Sequence, residues 1–394
     1  MRMLVLGAGR MGLGAVHDLV SQSDVDGVTV ADFDFSKAQH IAERFVGAAA
    51  PSGTATAEGS GRHKVVAAQI DCNDHAAVVD LMRGHKSAIS CVNYWLNERL
   101  ARAAIEAGTH FCDLGGNNDV VDAELALDAD ARKAGINIIP DCGLAPGMVA
   151  VLVAHGASQF AKLDEVHIRV GGLPQDPQPP LNYQLVFSVE GLINEYIEPA
   201  RVIRDGKVVT IESMTEIESL DFPQPFGTME AFQTSGGTST LVETFLGSVN
   251  ALDYKTIRYP GHCEKFKTMI DLGLCRSELL EVDGVRVKPR RVLGELLVKN
   301  LPHDEPDVVL VRVEFAGDNG KTLRYDIIDR HDPETGLSAM MRTTAFPASI
   351  VALMMARNQT TSKGALPQER CIPPDLFMEE LAKRRIEVMI SESR

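Results

Sequence analysis

Short apolar runs and segments of helical period alternate through the first 145 residues of the chain. Residues 3–6 read as a strand, 12–22 as an amphipathic helix and 28–31 as a second strand. A second helix spans 36–45, with Ser36 as its N-cap. Further strands fall at 65–70, 87–92, 110–114 and 137–139, and helices at 74–83, 97–107 and 119–134 lie between them. This alternation predicts an α/β fold, a doubly wound parallel sheet of the Rossmann type. Residues 47–62, rich in Ala, Gly, Ser and Thr, interrupt the rhythm and read as a flexible surface insertion to which no chemistry is assigned.

The pattern changes after Gly147. A strand over 166–171 leads into a Pro-rich loop, 174–180. Runs at 201–203 and 208–211 flank Asp205-Gly206, a hairpin signal. A second hairpin runs from 308–315 through Asp318-Asn319-Gly320 to 322–328, and helices fall at 261–272 and 291–298. Hairpins mixed with helices predict an α+β domain serving substrate binding and dimerisation. An apolar helix at 348–358 is expected to pack back on the first domain. The expected organisation is therefore 1–146, 147–345 and 346–394.

Within the first domain, Gly7-Ala8-Gly9-Arg10-Met11-Gly12 follows a predicted strand and opens a predicted helix. That is the context in which GxGxxG binds a dinucleotide. Gly7 permits the tight turn, Gly9 lets backbone approach a pyrophosphate, and Gly12 allows close helix–strand packing. The helix start offers free N–H groups to the phosphates; Arg10 could lie along them, or simply be solvated. Twenty residues after Gly12, Asp32 ends the second strand, where an acid accepts from both ribose hydroxyls and repels a 2′-phosphate. The expected cofactor is NAD. Asp71, Cys91, Val92 and Asn93 follow the third and fourth strands, where such sheets edge the cofactor, although simple loop capping fits them equally.

Composition narrows the partners. Hydrophobic residues make up 45% of 394 and charged residues 24%, enough for a sizeable core. A formal charge of -15 argues against nucleic acid or an anionic membrane, which demand clustered Lys and Arg. No 18-residue apolar run is read, and the predicted strand at Met3 leaves no room for a signal peptide. Seven cysteines without CxxC spacing fit reduced thiols, so the expectation is a cytoplasmic protein with no metal site.

The chain resembles the saccharopine dehydrogenase superfamily, most closely its L-lysine 6-dehydrogenase branch. The residues that carry the resemblance are Gly7–Gly12, Asp113-Leu114-Gly115-Gly116, Pro140-Asp141-Cys142-Gly143-Leu144-Ala145-Pro146-Gly147-Met148, Thr234-Ser235-Gly236-Gly237-Thr238-Ser239-Thr240 and Gly261-His262-Cys263-Glu264-Lys265-Phe266-Lys267. The resemblance implies a Rossmann domain completed by a returning C-terminal helix, with an α+β domain between. It also implies oxidation of an amine by NAD, for lysine giving 2-aminoadipate 6-semialdehyde, which cyclises. Such chemistry needs a group to collect the amine's proton, a partner for the α-carboxylate, and a dry cleft between domains.

Asp113 and Asp141 each end a predicted parallel strand, where open α/β sheets bind ligands, so either could orient the ammonium or relay its proton. Equally, Asp141 could cap a helix and Asp113 could stabilise the Gly115-Gly116 turn. His262 could shuttle a proton and Lys265 could hold a carboxylate. By the resemblance, Thr238 and Ser239 contact a substrate carboxylate; Tyr183 and Glu190 are weaker candidates for lining the cleft. Two other readings stay open. One is a saccharopine or carboxynorspermidine-type dehydrogenase acting on a secondary amine, for which Arg169, Arg201, Arg204 and Arg258 are available cations. The other is a non-catalytic NAD-binding sensor. A homo-oligomer is expected.

Overall fold

The computed structural model describes residues 1–45, 64–318 and 320–393. The expected insertion at 47–62 lies outside them, as does Asn319 of the second hairpin. The chain divides into two units, Met1–His155 with Met341–Arg385, and Gly156–Met340 with Ile386–Arg394.

The first unit is built on strands β1 (Arg2–Leu6), β2 (Gly27–Asp32), β3 (Lys64–Gln69), β4 (Ser87–Ser90), β5 (His110–Asp113) and β6 (Asn137–Ile139). Between them run helices α1 (Arg10–Val20), α2 (Phe35–Arg44), α3 (His75–Met82), α4 (Asn97–Ala107), α5 (Asn118–Leu125) and α6 (Asp128–Ala134). The strand order is β3-β2-β1-β4-β5-β6, continued past β6 by a short strand, Gly364–Ala365, and all pairs are parallel. The order reverses between β1 and β4, and such a switch point is where doubly wound sheets bind nucleotides. β1 and β4 are buried along nearly their whole length because helices cover both faces, which is why they read as unbroken apolar runs.

Local differences from the sequence reading have plain causes. The cap of α2 is Asp34, whose carboxylate accepts from the Ser36 amide, so a cap was placed two residues late. The single helix expected at 119–134 is two, α5 and α6. The returning segment is held by a buried ion group: Arg384 donates to both Asp18 oxygens at 2.7 and 2.9 Å and to Glu380 Oε2 at 2.6 Å. Its last residues leave this unit, since Met389–Ser393 adds a strand to the second sheet. One helix, Ala339–Ala356, does reach the length and apolarity that a membrane crossing requires. It is 83% buried within the molecule, as a core helix is, and carries Arg342, Thr343 and Ser349 among its buried side chains.

The second unit centres on β7 (Leu163–Pro174), β8 (Ala200–Arg204), β9 (Lys207–Ile211), β10 (Glu218–Phe222), β11 (Gly227–Gln233) and β12 (Ala251–Arg258). The path β10-β11-β12-β7 continues into the long hairpin Asp307–Gly317 and Lys321–Arg330; β12 pairs β7 in parallel, and the other pairings are antiparallel. The Asp205-Gly206 turn has positive φ at both residues, 49° and 71°, as a two-residue hairpin requires. The strand pair β10–β11 was not legible because their alternating burial rests on few apolar residues, Leu220 and Phe222 in β10 and Met229, Ala231 and Phe232 in β11.

Candidate functional site

In the first unit, the turn between β1 and α1 is shaped by what each glycine would collide with. Gly7 has φ of 100°, and a Cβ there would stand 2.7 Å from the Cys91 carbonyl oxygen and 3.1 Å from Val92 Cγ1. A Cβ at Gly12 would lie 1.9 Å from the Gly7 carbonyl oxygen. At Gly9 a Cβ would meet nothing within 4 Å. Gly9 is also the N-cap of α1 and supplies no side-chain acceptor, so the first-turn N–H groups are left for a ligand. Two glycines therefore serve the turn itself, and the third keeps open the space that a pyrophosphate would take.

Asp32 is tied to that turn. Its Oδ2 accepts from the Ala8 amide at 2.7 Å and its Oδ1 from the Asp34 amide at 2.9 Å, leaving a partly exposed carboxylate with lone pairs for ribose hydroxyls. Arg10 and Met11 open α1, with Arg10 exposed. Cys91 and Val92 form the wall behind Gly7, and the Cys91 amide donates to Leu6 O at 2.7 Å. Asn93 is exposed just before the turn Tyr94–Leu96. Asp71 is exposed and accepts from the Asn73 amide and side chain, which is loop capping. These residues fit a nicotinamide dinucleotide.

One and two strands from the switch point, three carboxyl groups gather. Asp113 closes β5 and is fully buried; its Oδ1 accepts from the amides of Gly115 at 2.6 Å and Asp141 at 3.3 Å. Asp141 follows β6 at φ 60° and is 5% exposed. It lies seven residues before the helix Met148–Ala157, so it does not cap it. Its carboxylate sits over Gly115, where a Cβ would be 2.0 Å from Asp141 Oδ1. Burial raises the Asp113 carboxyl to about 6. The third group, Glu124 of α5, escaped the sequence reading. Its signal is its place three residues after Val121 on the buried face of an otherwise solvated helix.

In the second unit, a buried polar chain links β12 to helices Val189–Ile197 and His262–Asp271. Arg258 Nε donates to Tyr196 Oη at 2.7 Å, and Tyr196 Oη is 3.1 Å from His262 Nε2. His262 Nδ1 is 3.0 Å from the Leu181 carbonyl, so Nδ1 carries the proton and Nε2 accepts from the tyrosine. Desolvation, then the Arg258 charge, pulls the imidazole down to about 3. With both nitrogens engaged and 1% exposure, His262 is placed as an anchor, not as the proton shuttle expected of it.

That placement carries a stability consequence. The neutral ring is required in the fold while the unfolded ring protonates near 6.5, so stability should be complete above that value. It should fall steadily as the pH drops from 6.5 toward 3. His262→Gln should flatten this slope in urea titrations across that range; an unaltered slope would show that the ring does not govern it.

The four arginines considered as carboxylate partners separate cleanly. Arg169 pairs with Asp253 and Glu218, Arg201 with Glu243, and Arg204 with Glu216. Arg258 has no ion pair among the described residues; it lies 4.8 Å from the Tyr183 ring centroid and 5.7 Å from that of Tyr196. Tyr183 is accordingly buried beside it. The other candidates are otherwise engaged. Glu190 is an exposed partner of Arg290. Lys265 is exposed and donates to Pro180 O at 2.8 Å, and Thr238 donates to Arg201 O at 3.0 Å. Ser239 holds φ of 39° in the same loop, and Thr234 from that motif bonds Thr256 at 2.7 Å.

Comparison with known proteins agrees with both units. The chain matches the saccharopine dehydrogenase NADP binding domain over residues 3–139 and the saccharopine dehydrogenase C-terminal domain over 143–386. It is 24% identical over 294 residues to the saccharopine dehydrogenase [NADP(+), L-glutamate-forming] of Saccharomyces cerevisiae, covering 71% of this chain and 59% of that enzyme. The carboxynorspermidine synthase of Vibrio cholerae is 23% identical over 415 residues, covering 97% and 94%. Among solved structures, the apo yeast saccharopine dehydrogenase superposes with a TM-score of 0.79 at 20% identity, covering all of both chains. A homospermidine synthase from Legionella pneumophila in complex with NAD superposes with a TM-score of 0.65 at 10% identity, covering 100% and 91%. With residues 3–139 and 143–386 matched by its two domains, the chain belongs to the saccharopine dehydrogenase family.

Proposed function

We propose that this chain is an NAD-dependent dehydrogenase of an amino-acid amine, oxidising L-lysine at its 6-amino group to 2-aminoadipate 6-semialdehyde. The observation that carries the substrate is Arg258, the one arginine of the four that makes no ion pair among the described residues, the charge of Glu195 reaching it without a contact. A substrate with a single α-carboxylate needs one such cation, whereas saccharopine brings three carboxylates. Asp32 supports NAD over its phosphorylated counterpart, since a second anion beside it would be repelled and no Arg follows among residues 33–36.

The β1–α1 turn and Asp32 would hold the coenzyme, which would supply the hydride acceptor for the carbon that bears nitrogen. The chain's part is to take the proton from the ammonium so that the nitrogen lone pair can form the C=N bond; water then hydrolyses the imine. Asp113 at the end of β5 and Asp141 just after β6, one and two strands beyond β4, are our assignment for that proton.

A second reading, a secondary amine as substrate, is favoured by the nearly complete match to the Vibrio carboxynorspermidine synthase. The two are told apart by following NADH absorbance with L-lysine, saccharopine and carboxyalkylated diamines, each with NAD and with NADP. Turnover of lysine with NAD is expected. Turnover confined to a secondary amine would replace the substrate, and a preference for NADP would remove the role given to Asp32. Silence with every amine would leave a nucleotide-binding protein without this chemistry.

A further inference from the structure

Asp113 and Glu124 form a contact that two ionised carboxylates cannot sustain. Both side chains are fully buried, and their carboxyl groups lie near enough for one to donate to the other once either holds a proton. Asp113 Oδ2 and both Glu124 oxygens have no N–H or O–H donor from any other described residue. The charged or titratable groups facing the pair are Asp141 from the loop after β6, Glu98 of α4, and the thiols of Cys91 and Cys142. None is a cation, and Glu98 is itself engaged by Arg102 at 2.8 Å. No group of three His, Cys, Asp or Glu among the described residues could hold a metal ion. A bare carboxylate buried without donor or counter-charge is far too costly to persist, so the pair must hold a proton.

We propose that Glu124 is a positioning residue, a neutral carboxylic acid whose O–H donates to Asp113 and keeps Asp113 ionised and ready to accept the substrate's proton. This rests on the amine-dehydrogenase reading above. The pair carries one negative charge at rest, Asp113 carboxylate with Glu124 acid. It becomes neutral once Asp113 gains the proton that the ammonium loses, so no other reactant is required. The proton resides on Glu124 for a stated reason: Asp113 already accepts two backbone N–H bonds, which favour its charged form, whereas Glu124 accepts none. The directions of titration agree. Burial, then the Asp113 charge, raises Glu124 strongly, while the Glu124 hydrogen bond works to lower Asp113.

The test uses two variants with opposite expectations. Glu124→Gln keeps a neutral donor beside Asp113 and should preserve the pH profile of kcat/KM. Glu124→Leu removes the donor, so the acid limb should move upward by about one pH unit, a roughly tenfold loss on that limb. Both should fold, because an apolar or amide group replaces a buried acid that gives the core no ion pair. Infrared spectra of the whole protein, taken without substrate at neutral pH, should show a protonated carboxylic C=O stretch that disappears in Glu124→Gln. A band that survives this change, or Gln and Leu variants with the same shifted limb, would overturn the proposal. The infrared arm needs no turnover, so failure of the amine-dehydrogenase reading would show in the assay alone.

Discussion

Gly9→Ala should leave the melting temperature unchanged while weakening dinucleotide binding about tenfold or more, a cost of ~1.4 kcal/mol confined to the complex. The new methyl meets nothing in the protein itself, so the fold has no reason to respond. It would occupy the space over the start of α1 where the pyrophosphate has to approach the backbone N–H groups. Gly12→Ala should behave oppositely. Its methyl would stand 1.9 Å from the Gly7 carbonyl oxygen, a backbone atom that cannot swing aside. Helix and strand must separate, at a cost of about 3 kcal/mol or more, which lowers the melting temperature by roughly 5 to 10 °C. Nucleotide binding should be lost along with the turn. Thermal melts with and without NAD, beside fluorescence titration of NADH, separate the two. Equal loss of affinity and stability in both variants would show that Gly9 has no role beyond the turn.

The alternation of apolar runs and helical segments was enough to read the first sheet, because parallel strands covered on both faces carry their burial in unbroken apolar stretches such as Met3-Leu4-Val5-Leu6. The nucleotide turn was legible for a related reason: each glycine answers a local backbone demand. What stayed hidden depends on tertiary contact. His262 looks like a titrating side chain in the sequence. Only the fold shows Leu181 and Tyr196 closing on its two nitrogens. Glu124 looks like one more acid on an acidic helix until α5 is seen to bury the face that carries it. Arginines 169, 201, 204 and 258 are indistinguishable as letters; the carboxylate partners of the first three come from residues 12 to 84 positions away, and Arg258 makes no ion pair among the described residues. The helix Ala339–Ala356 shows the same limit in reverse, since its length and apolarity alone would also suit a lipid environment.

Arg258→Gln tests the substrate assignment most directly. A buried guanidinium with no ion pair among the described residues is costly, and it is kept here by the Tyr196 hydroxyl that accepts from Nε, the Ile257 carbonyl that accepts from Nη1, the Tyr183 ring it lies over and the charge of Glu195. If its charge is held for the α-carboxylate of lysine, the variant should lose about 10²- to 10³-fold in kcat/KM, ~3–4 kcal/mol, chiefly through KM. Arg201→Gln should lose little, because Arg201 is partly exposed and already neutralised by Glu243. The decisive comparison uses 1,5-diaminopentane, which is lysine without its carboxylate. The native enzyme should turn it over poorly, and Arg258→Gln should reduce that rate no further, since the interaction is already missing from the substrate. An equal loss with lysine and with the diamine would assign Arg258 to the support of Tyr196 and His262 instead. A lowered melting temperature with unchanged KM would lead to the same conclusion by a second route.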